Sequence, residues 1–125
     1  MSDPARTPTL LIVDDEPRIL SALRRCLRRE GWRILATSQP DEALRWLAGE
    51  RIEALLSDHK MRGASGLRLL EAAAGIQPST VRFLISGWPD EISAERLAAI
   101  GVHALIPKPW DDTALRALLR EALGA

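Results

Sequence analysis

Five short apolar runs recur along the chain, each followed by a polar turn and then by a segment whose apolar residues fall at helical spacing. The runs are TLLIV (9–13), WRILA (32–36), IEALLS (52–57), TVRFLIS (80–86) and ALIP (104–107). Several are too continuous to leave one face in water, which suits strands buried on both sides. The intervening segments 16–30, 40–49, 66–74, 90–100 and 111–123 read as helices. In the first of them Ile19, Leu20, Leu23, Cys26 and Leu27 share one face, and Arg18, Arg24, Arg25, Arg28 and Arg29 fall on the other. Pro17 suits a first-turn position and Gly31 a left-handed stop. Asp111 and Asp112 carry the charge that favours a helix N-terminus. Five β/α units with short connections imply right-handed crossovers. The result is a three-layer α/β architecture with a parallel sheet between two helical layers.

The 125 residues suffice for one hydrophobic core. Residues 1–8, MSDPARTP, are polar and proline-bearing and are expected to form a disordered tail, which leaves 9–124 as the domain. Lys+Arg and Asp+Glu number 17 each, so no net field draws the chain to nucleic acid or to an anionic membrane. The apolar runs, about five residues long, fall far short of a membrane span. The first residues lack the apolar core of a secretion signal, so the cytoplasm is the expected compartment. The single cysteine excludes an internal disulfide, and no Cys/His cluster has zinc-site spacing.

In open parallel sheets the functional site lies at the carboxyl ends of the strands, near the topological switch point. At those ends this chain carries Asp14-Asp15-Glu16, Asp58, Ser86-Gly87 and Lys108-Pro109. Taken singly, each has a plain explanation: an acidic pair caps a helix, an aspartate or serine binds its own turn, a lysine is solvated. Their common rim is what those explanations leave out. Converging carboxylates resist ionising together unless a cation is present, and an all-oxygen set with waters suits Mg²⁺. An ammonium and a hydroxyl beside that ion complement a tetrahedral anion. The combination points to a Mg²⁺-assisted phosphoryl site with a carboxylate nucleophile.

From about Leu10 to Leu123 the chain resembles the receiver domains of two-component response regulators. The matching pieces are LLIVDDE (10–16), LLSDHKM (55–61) with Gly66 beyond it, FLISG (83–87) and KPW (108–110). The resemblance implies a flavodoxin-like (βα)5 fold with strand order 2-1-3-4-5. It implies that Asp58 accepts a phosphoryl group from a histidine kinase or phosphotransfer protein, a switching role and not a turnover enzyme. Asp14, Asp15, Asp58 and the backbone carbonyl of Lys60 would hold Mg²⁺. Lys108 and Ser86 would contact the phosphoryl oxygens, and the Lys108–Pro109 bond would be cis. The output surface would be the face of the fourth helix, fifth strand and fifth helix, open to an effector domain, another protein or a second copy. No membrane and no direct nucleic-acid contact are expected. The alternatives are a pseudo-receiver that only binds partners and an aspartyl-nucleophile phosphatase. The latter needs a second acid where this chain has Lys60.

Several positions depart from the family pattern. Arg62 stands where proline is usual, and Leu105 where the family carries a switching Tyr or Phe. Lys60 and Trp88 occupy two variable positions tied to phosphoryl lifetime, and their bulk is expected to crowd the hydrolytic water. Alternation along an extended strand end points His59 away from Asp58, towards the surface. His103 falls in a turn, Cys26 belongs to the core face of its helix, and Trp32 and Trp46 serve packing. The arginines of the first helix form a solvated face that also helps to dock the phosphodonor in the family.

Overall fold

The computed structural model describes residues 6–124. The tail expected over 1–8 therefore lies partly outside the described residues. Within them Arg6 pairs with Glu53, and the Pro8 carbonyl accepts a hydrogen bond from the Arg33 amide at 2.9 Å.

The first unit is β1 (Thr9–Val13) and α1 (Pro17–Leu27), followed by β2 (Arg33–Thr37) and α2 (Pro40–Gly49). β3 (Ala54–Asp58) runs into a small antiparallel hairpin of β4 (Lys60–Met61) and β5 (Ala64–Ser65), then α3 (Gly66–Ile76). β6 (Val81–Ser86), α4 (Ala94–Ile100), β7 (Val102–Pro107) and α5 (Asp112–Leu123) complete the chain. The main sheet has the order β2-β1-β3-β6-β7 with every neighbouring pair parallel. With the hairpin strands set aside, this is the 2-1-3-4-5 order of the flavodoxin-like fold.

The continuous apolar runs feed two cores. Leu11, Val13, Leu55 and Leu84 point to the layer of α2 and α3, against Ala43, Leu47, Leu67, Leu70 and Ala73. Leu10, Ile12, Leu56, Phe83 and Ile85 point to the other layer, against Leu23 and Leu27 of α1 and Leu115 and Leu119 of α5. Alternation with period two serves both faces at once, so β1 and β3 are buried along their whole length. Each fully buried leucine contributes about 1.5–3 kcal/mol over an exposed one.

Two local expectations are corrected, and one element is new. The helix read over 90–100 is divided: a helical turn at Pro89–Glu91 precedes an extended Ile92, and α4 starts after Ser93, whose Oγ accepts from the Arg96 amide at 3.1 Å. A serine cap of this kind sets a new start within an otherwise helical pattern. His103 is not in a turn. Gly101, at φ 80°, ends α4 in a left-handed conformation, so β7 begins at once. His103 stands exposed on this edge strand with its ring edge-on to Phe83 at 5.3 Å. The hairpin β4–β5 went unforeseen because two-residue strands carry no periodicity. No helix among the described residues is long and apolar enough to cross a membrane.

Candidate functional site

β1, β3, β6 and β7 end at the same rim, and the sheet register brings their last residues together. Val13 pairs with Ser57, Asp58 with Ile85 and Ser86 with Pro107, so Asp14, Asp58, Ser86 and Lys108 meet over one edge. One carboxylate oxygen each of Asp14, Asp15 and Asp58 lies within 4.8 Å of the others. Asp14 and Asp58 are buried, and Asp15 is half-buried.

Each acid is held by specific donors. Asp14 Oδ1 accepts from the Glu16 amide at 2.9 Å, and its Oδ2 lies 3.2 Å from Lys108 Nζ. Asp15 Oδ2 accepts from the Arg62 amide at 2.9 Å, tying the hairpin turn to the end of β1. Asp58 Oδ1 takes the His59 amide at 3.0 Å and the Lys108 ammonium at 2.9 Å. Among the described residues no hydrogen bond reaches Asp58 Oδ2. The Lys108–Pro109 bond is cis, as the sequence led us to expect.

The electrostatics follow from crowding. Burial raises the Asp14 pKa above its ordinary value; the Glu16 amide opposes this, Asp58 adds to it and Lys108 opposes it. Burial alone would depress the Lys108 ammonium, yet Asp58 and Asp14 outweigh it and hold its pKa above the usual lysine value. One ammonium thus faces a three-carboxylate cluster. An acidic, oxygen-only set of this composition is consistent with a hard divalent cation.

Glu16, Asp58, Lys60, Ser86, Gly87, Trp88 and Lys108 line a cavity of about 190 Å³ over the rim. Ser86 is buried, and its Oγ accepts from the Trp88 amide at 3.0 Å, so its own proton remains available to donate. The backbone of Lys60 is fixed in the hairpin opposite Ser65. Its side chain pairs with Glu91 at 2.8 Å and lies over the Trp88 ring at 4.7 Å.

Some of this was not visible in the sequence. Gly66 starts α3 directly beneath the end of β3, where its amide donates to the His59 carbonyl at 2.8 Å. His59, read as a surface residue, is half-buried with its Nδ1 enclosed and lacking a partner among the described residues. Burial, then Lys60, hold its pKa below the ordinary histidine value. Nothing in the sequence singles out Glu91. Leu105 packs on the α2/α3 side of the sheet.

Comparison with known proteins agrees with this geometry. Residues 10–120 match the family model described as the response regulator receiver domain. The chain is 37% identical over 128 residues to the hydrogenase transcriptional regulatory protein HoxA of Cupriavidus necator, covering 100% of this chain and 26% of that protein. It is 36% identical over 116 residues to the protein of the same name from Bradyrhizobium diazoefficiens, covering 92% of this chain and 24% of that one. The chain therefore spans about a quarter of the length of these curated relatives. Among solved structures, the signal receiver domain of an HD domain-containing protein from Pseudomonas fluorescens superposes with a TM-score of 0.88 at 29% identity, covering 98% of this chain and 91% of that one.

Proposed function

The chain belongs to the response regulator receiver family, a two-component signalling module and not a turnover enzyme, and we propose that it takes a phosphoryl group on Asp58. The observation that carries this reading is the asymmetry of that carboxylate. Its Oδ1 is held by Lys108 and the His59 amide, whereas Oδ2 accepts no hydrogen bond among the described residues. A carboxylate fixed at one oxygen presents the other as a nucleophile in a defined direction.

The donor is a phosphohistidine on a kinase or phosphotransfer protein. Oδ2 forms a new P–O bond as the P–N bond breaks, and the imidazole nitrogen leaves with its electron pair. Asp14, Asp15, Asp58 and the Lys60 backbone carbonyl would hold Mg²⁺, which when bound neutralises charge on the phosphoryl oxygens. Lys108 pairs with one of those oxygens, and the Ser86 hydroxyl donates to another. A groove of about 690 Å³ beside the site, with Ile19, Ala22, Cys26 and Trp110 in its lining and Lys108 among its residues, is the surface we assign to the donor protein.

The curated relatives are named as transcriptional regulators, and for this chain we propose the same kind of output through an effector acting on the face of α4, β7 and α5. Pairing of two copies through that face is an alternative use of it. The expected setting is the cytoplasm, where kinase and effector would meet it. Reduction of the phosphorylated protein with borohydride converts an acyl phosphate to the corresponding alcohol, so peptide mapping identifies the acceptor. Conversion at position 58 supports the reading. Conversion at Asp14 or Asp15 overturns it.

A further inference from the structure

Lys60 joins two segments on either side of the cavity. Its backbone belongs to the hairpin that follows Asp58, and its ammonium reaches Glu91 at 2.8 Å and the Trp88 ring at 4.7 Å. Glu91 closes the helical turn Pro89–Glu91, which leads through the buried Ile92 to the cap of α4. Lys60 and Trp88 also line the cavity over Asp58.

Charge balance makes this bridge sensitive to the acceptor. Three carboxylates against a divalent cation and Lys108 are neutral as a set. A phosphoryl group brings about two negative charges in place of the single carboxylate charge of Asp58. The pocket is then left with a negative charge that none of its own cations offsets. Lys60 is the further cation in the lining of that cavity, and its present partner is a half-exposed glutamate. Exposed ion pairs of this kind contribute little and are readily exchanged.

Resting on the acceptor reading of Asp58, we propose that Lys60 is a phosphoryl-sensing residue that exchanges Glu91 for the phosphoryl oxygens. The exchange removes the cation from the Trp88 ring and frees Glu91. The turn before α4 thereby reports phosphorylation without an aromatic at position 105.

The indole N–H signal of Trp88 in ¹⁵N-labelled protein, assigned through Trp88→Phe, reads the exchange. Parent, Glu91→Gln and Lys60→Met are compared with Mg²⁺ and a small acyl phosphate, each at a phosphoryl occupancy measured by intact mass. In the parent the signal should move on phosphorylation. In unphosphorylated Glu91→Gln it should already lie part of the way along that path, and in Lys60→Met most of the phosphorylation-dependent movement should vanish. Decay of the acyl phosphate should slow roughly threefold in Glu91→Gln, where the ammonium has lost its competing partner. Full occupancy with the same Trp88 movement in Lys60→Met and parent overturns the exchange and leaves the acceptor reading intact. No gain of mass in the parent overturns both.

Discussion

A β-carbon on Gly66 would stand 1.9 Å from the carbonyl oxygen of Asp58, so the first residue of α3 and the end of β3 meet with no room for a side chain. This approach lets α3 begin directly against the end of β3 once the hairpin has closed. Gly66→Ala must push backbone against backbone, because no flexible side chain is there to yield. It is expected to destabilise the fold by about 2–3 kcal/mol, the upper range for overpacking. Urea titration measures the loss. A change within ~0.5 kcal/mol would show that the contact is looser than this packing requires.

The acidic pair should bind Mg²⁺ in the absence of phosphate. Asp15→Ala is expected to weaken binding about tenfold or more, and Glu16→Ala by less than about twofold. Trp88 lines the cavity, so its fluorescence follows the titration. Equal losses from the two substitutions would remove Asp15 from the ligand set.

Asp14 carries a pH signature. Its folded-state pKa is raised, so its contribution to stability is fully present below the unfolded carboxylate value and declines as pH rises through the folded one. In metal-free protein Asp14→Asn should therefore raise stability at neutral pH by about 1 kcal/mol, within the range for relieving a functional site. That gain should shrink as pH falls through the raised folded-state value and be gone once pH reaches the ordinary aspartate range. Thermal melts of both proteins across pH, with chelator, supply the comparison. A variant less stable than its parent at pH 7 would mean that the Lys108 pair outweighs the cost of burying the acid.

The architecture could be read from the sequence because five continuous apolar runs admit few arrangements other than a covered parallel sheet. The rim was readable because strand ends and the switch point lie where Asp14, Asp58, Ser86 and Lys108 stand. The engagement of Lys60 was not readable. Its partner Glu91 lies on the turn Pro89–Glu91, which has no sequence link to it. The enclosure of His59 Nδ1 is hidden for a related reason: side-chain direction at a strand end does not reveal what the next loop covers. Trp110 donates its indole N–H to Asp112 at 2.9 Å, a local contact that the motif alone does not reveal.

Cys26 illustrates a residue whose environment changes its chemistry. Burial, then Asp112, push its thiol up to about 11. At pH 8 its thiolate fraction is about a hundredfold below that of an ordinary thiol, and alkylation should be slow in proportion. Iodoacetamide labelling followed by mass across pH 7–11 is the check. Labelling as fast as free cysteine at pH 8 would contradict the half-buried setting between α1 and α5.

Phosphoryl lifetime depends on access of water opposite the aspartyl oxygen. Lys60 and Trp88 line the cavity over Asp58, so on the proposed acceptor reading Lys60→Asn combined with Trp88→Ala is expected to shorten the acyl-phosphate half-life severalfold, where every ~1.4 kcal/mol is tenfold. Decay is timed after removal of donor, in parent and double variant side by side. An unchanged or longer half-life in the variant would assign the two residues no protective role.

Phosphoryl incorporation into parent and Asp58→Asn, measured by intact mass with Mg²⁺ and a small acyl phosphate, tests the acceptor most directly. The parent should gain one phosphoryl group that is lost in alkali, and Asp58→Asn, folded as judged by circular dichroism, should gain none. Incorporation into Asp58→Asn at the parental rate would contradict the assignment, and a parent that gains nothing would leave the domain an interaction module alone.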